Sequence, residues 1–79
     1  MKIYGICDNL ELSVGMRLSG MHVDILQEKE EIIQKIKEVI SKKDIGILVV
    51  SQRVYEIAED EIRDIRENKR TPLVVTIPN

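Results

Sequence analysis

The longest uninterrupted apolar run in the chain is Ile45-Gly46-Ile47-Leu48-Val49-Val50, with Asp44 in front and Ser51-Gln52 behind. A strand with one wet face alternates apolar and polar positions. This run offers water neither face, which is the pattern of an inner strand of a parallel sheet. Before it, residues 1–7 predict a first strand, in which Ile3, Tyr4 and Ile6 give β preference and Gly5 leaves room for close packing. Leu10, Val14 and Leu18 fall four apart, one stripe of a short helix over 10–18, and Gly20 is placed to close it in a left-handed conformation. Gly15 lies inside that helix, where close packing of the helix on a sheet is preferred over ligand approach as its explanation.

Residues 21–26 predict a second strand, with Val23 and Ile25 alternating against His22 and Asp24 as on an edge strand with one covered face. From 28 to 42, Ile32, Ile33, Ile36, Val39 and Ile40 repeat at helical spacing. Glu28, Glu30 and Glu31 precede them and Lys42 and Lys43 follow, the charge order that suits the helix dipole. Val54, Ile57, Ala58, Ile62 and Ile65 trace a third helical stripe, with glutamates early and Arg66, Lys69 and Arg70 late. Thr71-Pro72 breaks it, Leu73 to Ile77 predicts a last strand, and Pro78-Asn79 follows.

The alternation is βαβαβαβ over residues 1–79, one α/β unit without linker or repeat. Right-handed crossovers predict an open, parallel four-stranded sheet of order 2-1-3-4, the flavodoxin or receiver topology. The first helix then covers one face and the second and third cover the other. Over strands three and four, one side set (Ile45, Ile47, Val49 or Gly46, Leu48, Val50) and part of Leu73 to Ile77 has no helix above it. An exposed apolar patch of that kind marks a partner surface, taken by another protein of a complex or by a second copy of the chain.

Composition narrows the partners. Twelve basic residues against fourteen acidic ones give a net charge of −2, so no global field recruits nucleic acid or an anionic membrane. Tyr4 and Tyr55 are the only aromatics, too few for base-stacking platforms. One cysteine, Cys7, forms no internal disulfide, and no cationic leader precedes an apolar run, so a cytosolic setting is expected. No apolar run approaches the roughly 18 residues of a membrane span.

Reactive chemistry is sparse. Order 2-1-3-4 puts its switch point between strands one and three, at Cys7-Asp8-Asn9 and Ser51-Gln52-Arg53. A receiver domain clusters acidic residues there around a phosphorylated Asp, whereas this chain supplies only Asp8. A phosphatase loop needs an arginine six positions after its cysteine, where this chain has Ser13, and a Gly- or Ser-rich phosphate cradle is missing. Cys7 reads as a small buried apolar residue, His22 as a surface or capping residue, and Arg66, Lys69 and Arg70 as complements of a helix dipole. No catalytic, cofactor-binding or metal-binding residue is predicted. Arg53 and Tyr55, at the carboxyl end of the central strand, are placed to touch a partner.

Specific stretches resemble the F subunit of the V-type and archaeal-type rotary ATPases. Leu12-Ser13-Val14-Gly15-Met16-Arg17-Leu18-Ser19-Gly20 is similar to that family's short first helix, which usually carries a Gly-Phe pair and a Leu-Ala-Gly ending. Asp44-Ile45-Gly46-Ile47-Leu48 resembles its third strand. The glutamate-rich helix with Ile62 and Ile65, leading to Pro72-Leu73-Val74-Val75-Thr76-Ile77-Pro78-Asn79, resembles its closing strand and Ile-Pro ending. The chain differs at Met16, at Cys7, and in stopping at Asn79, where family members continue into a helical tail. The resemblance implies a non-catalytic component of the central stalk, bound to the coiled-coil D subunit and turning with it, with the catalytic head as a further contact. Such a component helps couple ATP hydrolysis or synthesis to proton or sodium transport, at the cytoplasmic face of the membrane. The candidate partner contacts are Arg17, Ser51, Gln52, Arg53, Tyr55, Val74 and Thr76. The competing expectation is a receiver-like or phosphocysteine-carrier domain, phosphorylated on Asp8 or Cys7. A third is a divergent relative that self-associates through its exposed face.

Overall fold

The computed structural model describes residues 1–69 and 71–79. Its elements are β1 (Lys2–Cys7), α1 (Leu10–Leu18), β2 (His22–Ile25), α2 (Lys29–Ser41), β3 (Ile45–Ser51), α3 (Gln52–Ile57), α4 (Glu59–Asn68) and β4 (Leu73–Ile77). Every pairing is parallel and the order is β2-β1-β3-β4, as the right-handed crossover rule predicts. The wholly apolar β3 is an inner strand, and β2 and β4 are the edges.

The helical stripe expected to run unbroken from Val54 to Ile65 is two helices. At Ala58 the backbone leaves the helical basin (φ −109°, ψ 31°). The bonds on either side survive, Ala58 N–H to the Val54 carbonyl and Ile62 N–H to the Ala58 carbonyl, both at 3.0 Å. Val54, Ala58, Ile62 and Ile65 therefore stay aligned and buried. Glu59, Asp60 and Glu61 come directly after the joint, and three carboxylates favour a fresh helix N-terminus through its dipole. Arg70, grouped by sequence with Arg66 and Lys69, lies outside the described residues.

The sheet divides two unequal cores. On one face Ile6, Leu48, Val50 and Val74 lie under Ile32, Ile36 and Val39 of α2, Val54 of α3, and Ile62 and Ile65 of α4. Burying side chains of this size stabilises by about 1.5–3 kcal/mol each, so this layer carries most of the fold. On the other face α1 packs over β1 and β2, and the buried cluster is only Cys7, Met16, Val23 and Val49. Ile45 does not belong with Ile47 and Val49, as strict alternation would have it. The pairing slips between Lys2↔Ile45 and Ile3↔Ile47, and a one-residue irregularity flips a side chain to the opposite face.

The apolar stripe that spacing picks out on α1 is not its packing face. Leu10, Val14 and Leu18 are 66, 49 and 84 % exposed, and the buried positions are Ser13 and Met16. Three contacts set this rotation. Met16 lies over Gly5, where an added Cβ would stand 2.5 Å from Met16 Cε. The Ser13 hydroxyl donates to the Leu10 carbonyl at 2.6 Å, so it can be buried satisfied. The Arg17 guanidinium donates to the Val23 carbonyl at 3.2 Å, tying the helix to β2. The ends are conventional: the Asn9 side chain accepts the Leu12 N–H at 2.8 Å, and Gly20 follows the helix at φ +90°.

The polar residues of β2 are engaged. The Tyr4 hydroxyl donates to Asp24, which pairs with Lys35 of α2 at 3.3 Å, and the His22 ring lies 5.0 Å from that of Tyr4. Burial, reinforced by the Asp24 carboxylate, pushes the Tyr4 pKa up to about 12. Burial works to raise the Asp24 pKa too, but the bonds from Tyr4 and Lys35 outweigh it and hold it below the ordinary value.

Candidate docking face

The sheet register defines the uncovered surface row by row. Ile3, Ile47 and Leu73 are neighbours across β1, β3 and β4, and Gly5, Val49 and Val75 form the next row on that face. α1 packs on the β1–β2 side, so the rows open toward solvent as they approach β4. Leu73 is 62 % and Val75 40 % exposed. A neighbouring cluster of large aliphatic side chains in water is unfavourable for a free chain.

Between this face and α1 runs a groove of about 540 Å³, floored by Met16, Met21, Val49 and Ile77 and walled by Leu12, Gly15 and Glu11. Asn9, Ser19 and Asn79 complete the lining. Gly15 is not there for helix–sheet packing, the explanation that its position in the helix suggests. A Cβ built on it meets nothing within 4 Å, so the glycine keeps that wall of the groove low. A larger concavity of about 750 Å³ lies at the opposite ends of the strands, lined by residues including Tyr4, His22 and Lys42. Its Lys2 is paired with Asp44 at 3.1 Å.

At the switch point the chain closes on itself. Asp8 Oδ1 accepts from Ser51 Oγ at 2.9 Å and from Asn79 Nδ2 at 2.8 Å, and the Arg53 N–H donates to Asn79 Oδ1 at 3.0 Å. Gln27 Nε2 donates to the Asp8 carbonyl at 3.1 Å. Burial acts to raise the Asp8 pKa, yet the Asn79 and Ser51 bonds and the Arg53 charge bring it below the usual carboxylate value. Cys7 beside it is fully buried, and burial pushes its thiol pKa up. A thiol that resists ionisation is a poor nucleophile. Among the described residues no three His, Cys, Asp or Glu side chains gather in an arrangement able to hold a metal ion.

The seven residues singled out from sequence scatter over three environments. Ser51 is fully buried, caps α3 by accepting the Val54 N–H, and donates to Asp8, so it presents no surface. Val74 is buried beneath the helical layer, and Thr76 lies half-buried on the same side of β4. The exposed apolar positions of that strand are Leu73 and Val75. Gln52 and Arg53 are exposed at the start of α3. Tyr55 is half-buried, with the Arg66 guanidinium 5.4 Å from its ring centre, and Arg17 is held to β2. Sequence reasoning put part of Leu73 to Ile77 on the uncovered face but singled out Val74 and Thr76 rather than Leu73, Val75 and Ile77, and it did not single out Asn79. For the strand positions the signal was ambiguous, because every residue from Leu73 to Val75 is apolar.

Comparison with known proteins adds three findings. The profile of the ATP synthase (F/14-kDa) subunit family matches residues 3–79. The F subunit of the A-type ATP synthase of Methanococcus aeolicus is 28 % identical over 81 residues, spanning 100 % of this chain and 75 % of that one. The crystal structure of the V-type ATP synthase F subunit from Archaeoglobus fulgidus superposes with a TM-score of 0.77 at 20 % identity, covering 96 % of this chain and 95 % of its own.

Proposed function

Because the chain belongs to the ATP synthase (F/14-kDa) subunit family, an accessory component without catalysis of its own, we propose that it sits in the central stalk of a V/A-type rotary ATPase. There it docks through its uncovered sheet face on the helical hairpin of the D subunit and turns with it. Rotation with the stalk helps couple ATP turnover in the head to proton or sodium transport in the membrane sector. No described helix is long and apolar enough to cross a membrane, and on this reading the protein reaches the membrane sector only through the complex, on its cytoplasmic side.

The observation that supports the reading most is the pair of apolar rows ending in Leu73 and Val75. Covering such aliphatic area gains about 25 cal/mol per Å² removed from water, and a rigid helical hairpin supplies that cover with little ordering cost. Arg53 and Gln52 are exposed beside the switch point, where the Arg53 N–H meets Asn79 of the groove lining.

Co-expression with the D subunit of the same organism, followed by size exclusion with light scattering, tests the reading. A 1:1 complex is expected, lost or strongly weakened in Leu73→Asp. Separate elution of the two wild-type chains overturns it.

A further inference from the structure

The groove beside α1 has features that the docking reading does not require. It runs the length of that helix, its floor is aliphatic, and its wall is lowered at one point, Gly15, where an added Cβ would meet nothing within 4 Å. A glycine inside a helix is unfavourable compared with alanine, and here it relieves no contact inside the chain. Its open side faces outward into the groove. The groove flanks α1 from Asn9 to Ser19, and the nine residues of the helix span about 14 Å at about 1.5 Å per residue, a length over which a second helix can pack against the first.

An extended strand is a poor occupant. It would seek unpaired backbone groups, and those lie along the outer edge of β4, whereas the groove presents side chains and a helix flank. Glu11 is the one charged residue of the lining, and it makes no ion pair among the described residues.

Resting on the stalk reading above, we propose that a single helix of the partner hairpin lies along α1 in this groove and crosses it at Gly15. It presents an aliphatic stripe to Met16, Val49 and Ile77 and a Lys or Arg to Glu11. Gly15 is the specificity-determining position, because it permits an interaxial distance near 8 Å, the low end of the roughly 8–10 Å seen between packed helices.

The test measures affinity for the D subunit with Gly15→Leu, Gly15→Ala, Glu11→Lys and Leu73→Asp. Gly15→Leu fills free space and replaces a poor helix former, so the isolated variant melts at or above the wild-type temperature. Its affinity is expected to fall about tenfold or more, with Gly15→Ala affected less and Glu11→Lys weakened about threefold to tenfold at low salt. Binding of Gly15→Leu at wild-type affinity, with Leu73→Asp impaired, overturns the groove assignment and leaves the stalk reading standing. Failure of the wild-type chain to bind the D subunit overturns both.

Discussion

The side chain of Asn79 donates to Asp8 across 71 positions of sequence, joining the residue after β1 to the segment after β4 at 2.8 Å. The same carboxamide accepts the Arg53 N–H, so one residue links the ends of three of the four strands. Removing it leaves Ser51 as the side-chain donor to the Asp8 carboxylate. Asn79→Ala is expected to cost about 0.5–1.5 kcal/mol, toward the low end because the site is partly wet, read as a shift in urea midpoint. The pH dependence has a definite sign. The Asp8 pKa is lowered on folding, so its contribution is present above the unfolded carboxylate value and is lost as pH falls below about 4. An unchanged acid limb in Asn79→Ala would show that the clasp contributes nothing.

The rotation of α1 makes an asymmetric prediction. Leu18→Ser removes an exposed side chain and should change stability by no more than about 0.5 kcal/mol. Met16→Ala empties the space above Gly5 and should cost about 2–5 kcal/mol. Urea unfolding of both variants settles the orientation, because the reverse ranking would put the Leu10, Val14 and Leu18 stripe inside.

These cases show where sequence was legible. Strand order, helix order and the central position of Ile45 to Val50 follow from periodicity and crossover handedness, because long apolar helical repeats and an apolar run that needs a strand on each side leave few alternatives. Side-chain direction was harder. Leu10, Val14 and Leu18 form the more hydrophobic stripe of α1, but Ser13 satisfies itself on the Leu10 carbonyl and Gly5 requires a long side chain above it. In β4, a shift of one residue exchanges Val74 and Thr76 for Leu73, Val75 and Ile77, and all but the threonine are apolar. The one-helix face was readable as an inequality in the count of helices, whereas the residues on it needed the register. Nothing local identifies Asn79 as the clasp, because its partners lie at Asp8 and Arg53.

Tyr4 titrates out of its usual range. Burial, then the neighbouring Asp24 carboxylate, raises its pKa to about 12. The folded state thus holds this proton more tightly than the unfolded chain does, and the stability it contributes is lost as pH rises from about 10 through about 12. In a Tyr55→Phe background, absorbance titration should show the single remaining tyrosine ionising near the top of that window. Adding Asp24→Asn removes the carboxylate and should lower the midpoint, and an unmoved midpoint would assign the shift to burial alone.

The uncovered face should be detectable before any partner is found. A hydrophobic reporter dye needs contiguous apolar surface, and the Ile3, Ile47 and Leu73 row provides it only if no other copy covers it. Emission is expected with the isolated chain and should fall by about half or more in Leu73→Lys combined with Val75→Thr, since those positions carry most of the exposed aliphatic area of β4. Both substitutions are at exposed positions of an edge strand and threonine keeps the β-branch, so stability should stay within about 1 kcal/mol. Adding the D subunit to the wild-type chain should quench the same signal. Dye binding that survives both the double substitution and the D subunit would place the apolar surface elsewhere, on the outward stripe of α1. A dye-silent wild-type chain that elutes as a dimer would mean that a second copy covers the rows.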